Sequence, residues 1–333
     1  MKRNVFLLFA FYLLFFCSSC HRETETVSPE TLLRQDSLAL HVAVMPVMDC
    51  LPLYYAQRMG LFREAGVDVR LHEYLSQMDC DTALLGRWDE VAYTDIPRTL
   101  EMQNDSTALR IIMSMEGKLN LVTARTKRIR TLRHLDEHMI AIDRLSTADY
   151  LSDRITAQAG LKQTAVYRPQ INNIQLRRTM LMEQLVDAAL LPEPYATQAK
   201  LKGNRILSFA GNGKSADSLR NRVSDFNGLV VRKELLADTM RCRQVELLIQ
   251  VYNRSIDALN QTPERDTLRS IFSQQYALPA EVVDSVKLPV FRKAQLCKKE
   301  NVDAAFSWLM QRERRIYPAA RDSLLSARFI SGR

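Results

Sequence analysis

Sulfur-containing and aromatic side chains cluster where a small molecule could bind. Three segments are of interest in the first third of the chain, at residues 45–49, 76–79 and 94–95. Each of them either follows a predicted strand or begins the helix after that strand. In an open α/β sheet, ligands bind beyond the carboxyl ends of the strands. Deformable apolar contacts are therefore predicted from Met45, Met48, Tyr54 and Met78. Alternatively, Met45, Met48 and Tyr54 pack in the hydrophobic core and do not contact a ligand.

Polar side chains in the same segments predict hydrogen bonds to that molecule. Asp49 or Asp79 could bind a cationic or amino group. Thr94 and Asp95 could add a hydrogen bond at the end of the third strand. This part of the chain predicts one wall of a binding site.

The second half of the chain predicts the opposite wall. A Ser-x-x-Asp pattern that begins at Ser146 is similar to a capping box and predicts a helix start. The N–H groups of Ser146 and Thr147 there could bind an anion, with Arg144 beside them. Glu193 and Tyr195 would close the floor. Alternatively, Ser146 is only a cap and Glu193 pairs with an arginine.

Alternating strand and helix patterns would position these residues. A helical period begins at Leu51, with Pro52 in the first turn, and the pattern at 67–72 is typical of a strand. A short helix at about 80–85 and a strand at 90–94 follow. This order predicts βαβ units and a parallel sheet.

The same scheme recurs further along the chain. Strands are predicted at 139–143 and 187–191, with a helix from Ser146 to about Ala159 between them. Long helical patterns then fill the last third, the clearest being 240–258, 267–276 and 302–312.

Length and composition indicate a folded protein of about two domains. The chain has 333 residues, of which 47% are apolar and 25% charged, with only 10 Gly and 11 Pro. These values exclude disordered and fibrous classes.

The N-terminus predicts export and lipid anchoring. Lys2 and Arg3 precede an apolar run, residues 5–16, which is too short to span a bilayer. The small residues before Cys20 resemble a bacterial lipobox, so we predict a signal peptide at 1–19 and lipidation of Cys20; a plain signal peptide is the alternative. Residues 20–39 would form the anchor and a flexible tether that hold the protein on the periplasmic side of a bacterial membrane.

Four further cysteines leave the redox state open. Cys50, Cys80, Cys242 and Cys297 could form two bridges in an oxidising compartment or remain buried thiols. Their spacing matches no metal site, so we predict neither a metal nor a cofactor.

Charge is concentrated in the middle of the chain. Against a formal net charge of +8 overall, residues 123–223 contain 17 basic and 9 acidic residues. This asymmetry suits an acidic ligand, an anionic surface or simply a solvated face. Nucleic acid is not expected as a partner, because basic and aromatic residues do not interleave.

Catalysis is not predicted. The chain lacks a Gly-x-Ser-x-Gly elbow, a His-Glu-x-x-His motif and a dinucleotide-binding glycine pattern. We expect a binding protein rather than an enzyme.

Four blocks in order resemble one known family. Residues 53–69, 79–89, 132–141 and 186–194 are similar to the nitrate-, sulfonate- and thiamine-precursor-binding proteins of ABC importers. Leu61 departs from the usual Phe of the first block, and the cysteine-rich signature of the yeast thiamine-pyrimidine enzymes is absent.

The resemblance implies an α/β fold of the type II periplasmic-binding class, with two lobes and a cleft. Residues 40–122 with 224–333 would form lobe 1, and 123–223 lobe 2. The implied function is capture of a sulfonate, a nitrate-like anion or a thiamine-pyrimidine-like organic molecule and its delivery to an ABC permease. A lipoprotein of the same fold with a sensory or scaffolding role is the alternative.

Overall fold

The computed structural model describes residues 29–115, 117–207, 225–261, 263–314 and 316–330. The chain divides into two units, residues 1–39 and 40–333. The predicted signal peptide and Cys20 lie outside the described residues. In the first unit, helix α1 spans Pro29–Leu38. Half of the predicted anchor and tether, ten of its 20 residues, is therefore helical, a correction that reflects the good helix formers Leu33, Arg34 and Gln35.

The second unit contains two sheets. The first has the strand order β2-β1-β3-β9-β4. Its strands are β1 (Leu40–Val44), β2 (Val69–Glu73), β3 (Val91–Asp95), β4 (Leu109–Met115) and β9 (Asn227–Arg232). β1 pairs parallel with β2 and β3, whereas β9 runs antiparallel to β3 and β4. The predicted parallel sheet is thus confirmed for the three strands from which it was inferred, and β4 and β9 add an antiparallel edge.

The second sheet has the order β6-β7-β5-β8. Its strands are β5 (Leu119–Thr123), β6 (Ile140–Ala141), β7 (Ala188–Pro192) and β8 (Arg205–Leu207). β6 is parallel to β7, and β5 is antiparallel to β7 and β8. β4 ends at Met115 in the first sheet and β5 begins at Leu119 in the second, while the predicted lobe boundary at residue 122 stays a prediction. The predicted boundary at 223 lies outside the described residues.

Helices surround both sheets. In unit two they are α2 (Leu51–Arg58), α3 (Leu61–Glu64), α4 (Gln77–Leu85), α5 (Ile96–Met102), α6 (Thr147–Gln158), α7 (Ile174–Met182), α8 (Tyr195–Leu201), α9 (Thr239–Asn260), α10 (Arg265–Gln274), α11 (Ala280–Val283), α12 (Lys299–Gln311) and α13 (Pro318–Ser323). The long C-terminal helices return to the first sheet's side, where α9 packs on α2 and α12 packs on α5.

Both sheets are buried within one hydrophobic core. All five residues of β1, β3 and β7 are buried, as expected of strands covered on both faces. Cys50, Cys80, Cys242 and Cys297 are free and buried, which corresponds to the thiol alternative rather than the two bridges.

No helix among the described residues combines the length and apolarity that a membrane span requires.

Candidate functional site

A cavity lies between the two sheets, where strands from both of them end. The space inside it that is open to water-sized molecules is about 40 Å³. The first sheet contributes residues that follow β1 or lie in β3 and β9, and the second contributes residues around β5, β7 and the starts of α6 and α7. The lining residues that carry the argument are Asp49, Asp95, Lys118, Asp143, Thr147 and Arg177. This space holds only a few water molecules, so a small organic molecule could enter only if the two sides of the cavity moved apart.

On the first side, Asp49 is held by two donors. The Tyr93 hydroxyl donates to Asp49 Oδ2 at 2.6 Å, and Asn227 Nδ2 donates to the same oxygen at 2.9 Å. The linker residue Gly117 packs against this pair, since a Cβ there would overlap both the Asn227 amide and the Asp49 carboxylate. Asp49 is thereby fixed at the crossing between the sheets.

Asp95 connects the two sides of the cavity directly. Its Oδ1 caps α5 by accepting from the Arg98 N–H at 2.9 Å. Its Oδ2 accepts from the Thr147 N–H, the first residue of α6, at 2.7 Å. The positive end of α6 that we predicted as an anion seat is therefore occupied by a carboxylate of the chain itself.

Burial changes the protonation of Asp95. Desolvation raises its pKa to about 7, although the N–H groups of Thr147 and Arg98 and the charge of Arg98 oppose the rise. Nearby Asp143 adds to it by like-charge repulsion. Asp95 therefore titrates near neutral pH.

On the second side, Asp143 and Arg177 form a buried ion pair with 2.5 Å between Oδ1 and Nη1. Arg177 Nε and the Thr147 hydroxyl are also buried, and neither has a hydrogen-bond partner among the described residues. Buried polar groups without a partner are costly. Both residues line the cavity, so a bound molecule could supply the missing partners.

Five of the predicted binding residues line this cavity: Met45, Asp49, Asp95, Ser146 and Thr147. The structure brings together residues of the two predicted walls that lie 51 to 102 positions apart in the sequence. Ser146 also fills its alternative role as a cap, because its Oγ accepts from the N–H groups of Ala148 and Asp149.

Several others lie outside the cavity on the first side. Tyr54 is buried and donates to Glu73 at 3.1 Å, because its helix turns that face into the core. Met48 is also buried, and its N–H donates to the Glu193 carbonyl. Thr94 is fully buried in β3. Met78 is 43% exposed and accepts from Asn172.

The remaining predicted residues serve local structure. Asp79 accepts from the Ser76 hydroxyl at 2.6 Å within the cap of α4. The Arg144 side chain is exposed, and its carbonyl accepts from Arg98. Glu193 accepts from Asn120 Nδ2 and the Thr197 N–H. Tyr195 is buried beneath the Arg178 guanidinium.

Sequence reasoning missed Tyr93, Lys118, Asp143, Arg177 and Asn227. Asp143 ends a predicted strand, so the strand-end rule used for Asp95 could have found it. The other four carry no local signal, because only the pairing of distant segments brings them to the cavity. Outside the cavity, the structure also assembles His41, His72 and Asp89, whose ligand atoms lie within 4.8 Å of one another.

Comparison with known families adds a sequence match. The family model described as NMT1/THI5 like matches residues 48–266. This range includes every cavity residue discussed above except Met45. No curated protein matches the chain.

Solved structures resemble the chain over most of its length. The alkanesulfonate-binding protein SsuA from Xanthomonas axonopodis pv. citri, bound to MOPS, is 17% identical with a TM-score of 0.67, over 87% of this chain and 98% of that one. The periplasmic nitrate-binding protein NrtA from Synechocystis PCC 6803 is 11% identical with a TM-score of 0.69, over 88% and 87%. At these identities the likeness shows the fold, and it confirms the predicted two-lobed α/β class.

The same fold also occurs in an enzyme. The desulfurization enzyme DSZB is 13% identical with a TM-score of 0.59, over 88% of this chain and 97% of that one. Fold alone therefore does not separate binding from catalysis.

Proposed function

Because the chain belongs to the NMT1/THI5 like family, as its four sequence blocks predict, we propose that it is the solute-binding component of an ABC-type importer. It binds a small molecule in the cavity between its two lobes. It then delivers that molecule to a membrane permease. The family match and the solute-binding proteins among the similar structures support this role.

One observation carries the proposal. The cavity is lined from both lobes and contains two buried polar groups, the Thr147 hydroxyl and Arg177 Nε, that no described residue satisfies. A ligand bound there would contact both lobes at once. Differential binding to the closed form is what couples a ligand to lobe closure.

The charged residues that line the cavity favour a ligand with a hydrogen-bond acceptor at one end and an amino group at the other. Three carboxylates, Asp49, Asp95 and Asp143, face two cations, Lys118 and Arg177. A simple anion would have to displace Asp95 from the Thr147 N–H. An organic ligand with an acceptor group for Arg177 and an amino group for a carboxylate fits this lining better. Of the three predicted classes, the thiamine-pyrimidine-like molecule has both groups.

Location follows from the N-terminal sequence. We propose that Cys20 is lipidated after cleavage at residue 19 and that residues 20–39 hold the protein on the periplasmic side of the membrane. The lobes would then lie within reach of a permease. A sensory or scaffolding lipoprotein remains the alternative, and a permease and an ATPase encoded beside this chain would favour transport.

A thermal-shift screen tests the binding function. Purified protein from residue 21 onward is heated with nitrate, alkanesulfonates, aminosulfonates or aminopyrimidines. We expect a ligand at 100 times its Kd to add about 2.7 kcal/mol to the free energy of unfolding, which raises the melting temperature. We expect aminopyrimidines to give the largest shift.

Two matched variants test whether the rise in melting temperature comes from binding in the cavity. Thr147→Val removes the unpartnered hydroxyl with little change in volume and should weaken binding. Thr179→Val is the control, because Thr179 lies on the exposed side of α7, where its hydroxyl donates to the Gln175 carbonyl. No shift with any compound, or equal shifts in both variants, would contradict binding in this cavity.

A further inference from the structure

Two histidines and an aspartate meet at one edge of the first sheet, although they are far apart in the sequence. His41 lies on β1, His72 lies on β2, and Asp89 lies two residues before β3. Because Ala43 is in register with His72, His41 and His72 project from the same face of the sheet. None of the three lines the cavity between the lobes.

The spacing of the two histidines matches that of metal ligands. His41 Nδ1 and His72 Nε2 are 3.4 Å apart. Two nitrogens that each lie about 2.0–2.1 Å from a tetrahedral Zn²⁺ are separated by about 3.3–3.4 Å. The same distance is long for a hydrogen bond between two ring nitrogens.

The other nitrogen of His72 faces a carboxylate. His72 Nδ1 lies 2.7 Å from Asp89 Oδ1, in close contact but not aligned as a hydrogen bond. The Tyr74 hydroxyl donates to Asp89 Oδ2 at 3.0 Å and fixes this fully buried carboxylate. A proton on His72 Nδ1 leaves the lone pair on Nε2, directed toward His41. A small rotation of the His72 ring would turn the contact with Asp89 into the N–H···carboxylate hydrogen bond that orients metal-binding histidines.

Access and charge also suit a cation. The His72 side chain is 40% exposed, whereas Asp89 is fully buried. The site therefore has a solvated side, where water could complete the coordination, and a buried negative charge behind it. Imidazole nitrogens with water suit a borderline divalent cation.

We propose that His41 and His72 bind a divalent transition-metal ion of the Zn²⁺ class through Nδ1 and Nε2, with Asp89 as the outer carboxylate. The ion would join β1, β2 and the segment that leads into β3. It would thereby stabilise lobe 1, independently of any ligand in the cavity.

Titration of the metal-free full chain, purified in detergent, with ZnCl₂ in a calorimeter tests this proposal. We expect saturable binding that His72→Gln removes, because the exposed position of His72 lets the variant fold. Asp89→Asn should weaken the affinity by about 10–100-fold. His134→Gln is the control, since exposed His134 accepts only from the Arg130 N–H, and it should bind like the parent.

Spectroscopy distinguishes the site from adventitious binding. Co²⁺ added to the parent should give the visible absorption bands of nitrogen-ligated cobalt, and these bands should be lost in His72→Gln and in His41→Gln. A parent that binds no Zn²⁺ would overturn the proposal. So would a folded His72→Gln or Asp89→Asn variant, checked by circular dichroism, that binds Zn²⁺ as tightly as the parent.

Discussion

Asp95 combines three roles in one side chain. It caps α5, contacts the first N–H group of α6 across the cavity, and lines the candidate binding site. A ligand that enters the cavity meets this carboxylate at the contact between the lobes. The protonation of Asp95 should therefore influence both stability and binding.

The raised pKa of Asp95 predicts a pH dependence of folding. Its pKa is about 7 in the folded chain and about 3.9 when unfolded. Between about pH 4 and pH 7, the folded state thus holds a proton that the unfolded state has lost, so the free energy of unfolding falls as pH rises. Asp95→Asn should flatten this fall.

Urea denaturation at pH 5.0 and pH 7.5 measures the effect. The difference in unfolding free energy between the two pH values should be smaller in Asp95→Asn than in the parent. The exposed Asp68, paired with Arg70 at the surface, provides the control variant Asp68→Asn, which should keep the parent's difference. An unchanged difference in Asp95→Asn would contradict the assignment.

Single-residue prediction from sequence succeeds where a residue follows a recognisable structural signal. Asp95 ends a strand, and Ser146 and Thr147 begin a capped helix, so their positions could be predicted. Tyr54 shows the limit, because helical spacing predicts an apolar face without showing whether that face meets the core or the cleft. Arg177 shows a second limit, because its ion pair with Asp143 forms only when distant segments of the chain come together.

At the scale of elements, α6 carries one side of the cavity. Ser146 fixes the start of this helix by accepting from the N–H groups of Ala148 and Asp149 at 3.0 and 3.4 Å. Its hydroxyl also donates to the Asp143 carbonyl at 2.7 Å. The helix start and the strand end that carries Asp143 are therefore held together by one side chain.

Ser146→Ala should lower stability by about 1 kcal/mol, because it leaves the first N–H groups of α6 without their cap. Chemical denaturation measures the loss. Ser285→Ala is the matched control, since the exposed Ser285 hydroxyl donates only to the Glu281 carbonyl, and it should change stability little. Equal losses in the two variants would show that the cap is not what stabilises α6.

Some elements could not be predicted from their own sequence. The strands of the first βαβ unit and α6 have clear periodicity, and the structure has them within a few residues of the expected positions. β4 and β5 were not predicted, although both are rich in apolar residues. They look like a hairpin in sequence, but the chain between them passes from one sheet to the other, and no local pattern distinguishes these two outcomes.

At the scale of the molecule, helix α12 contacts both lobes. It packs on α5 of the first lobe, and its end contacts α6 of the second. There the Trp308 indole N–H donates to Asp153 at 2.8 Å. Arg312 pairs with Asp149 and Asp153 at 2.9 and 2.8 Å and stacks on Trp308. These contacts hold the second lobe against the first without any ligand.

Arg312→Ala should therefore favour an open arrangement of the lobes. The variant removes two partly buried ion pairs, each of which holds α6 toward α12. We expect a larger radius of gyration in small-angle X-ray scattering for the unliganded variant than for the parent. Addition of a cavity ligand identified by the thermal-shift screen should reduce this difference, because the ligand supplies new contacts between the lobes.

Arg321→Ala provides the control for this experiment. Arg321 pairs at 2.6 Å with Asp303, which also lies in α12. This exposed pair does not contact α6. Its loss should leave the radius of gyration unchanged, since a solvent-exposed ion pair is screened by water and contributes little. If Arg312→Ala scatters like Arg321→Ala, the closed arrangement is maintained by the cavity contacts themselves, foremost the hydrogen bond from Thr147 to Asp95.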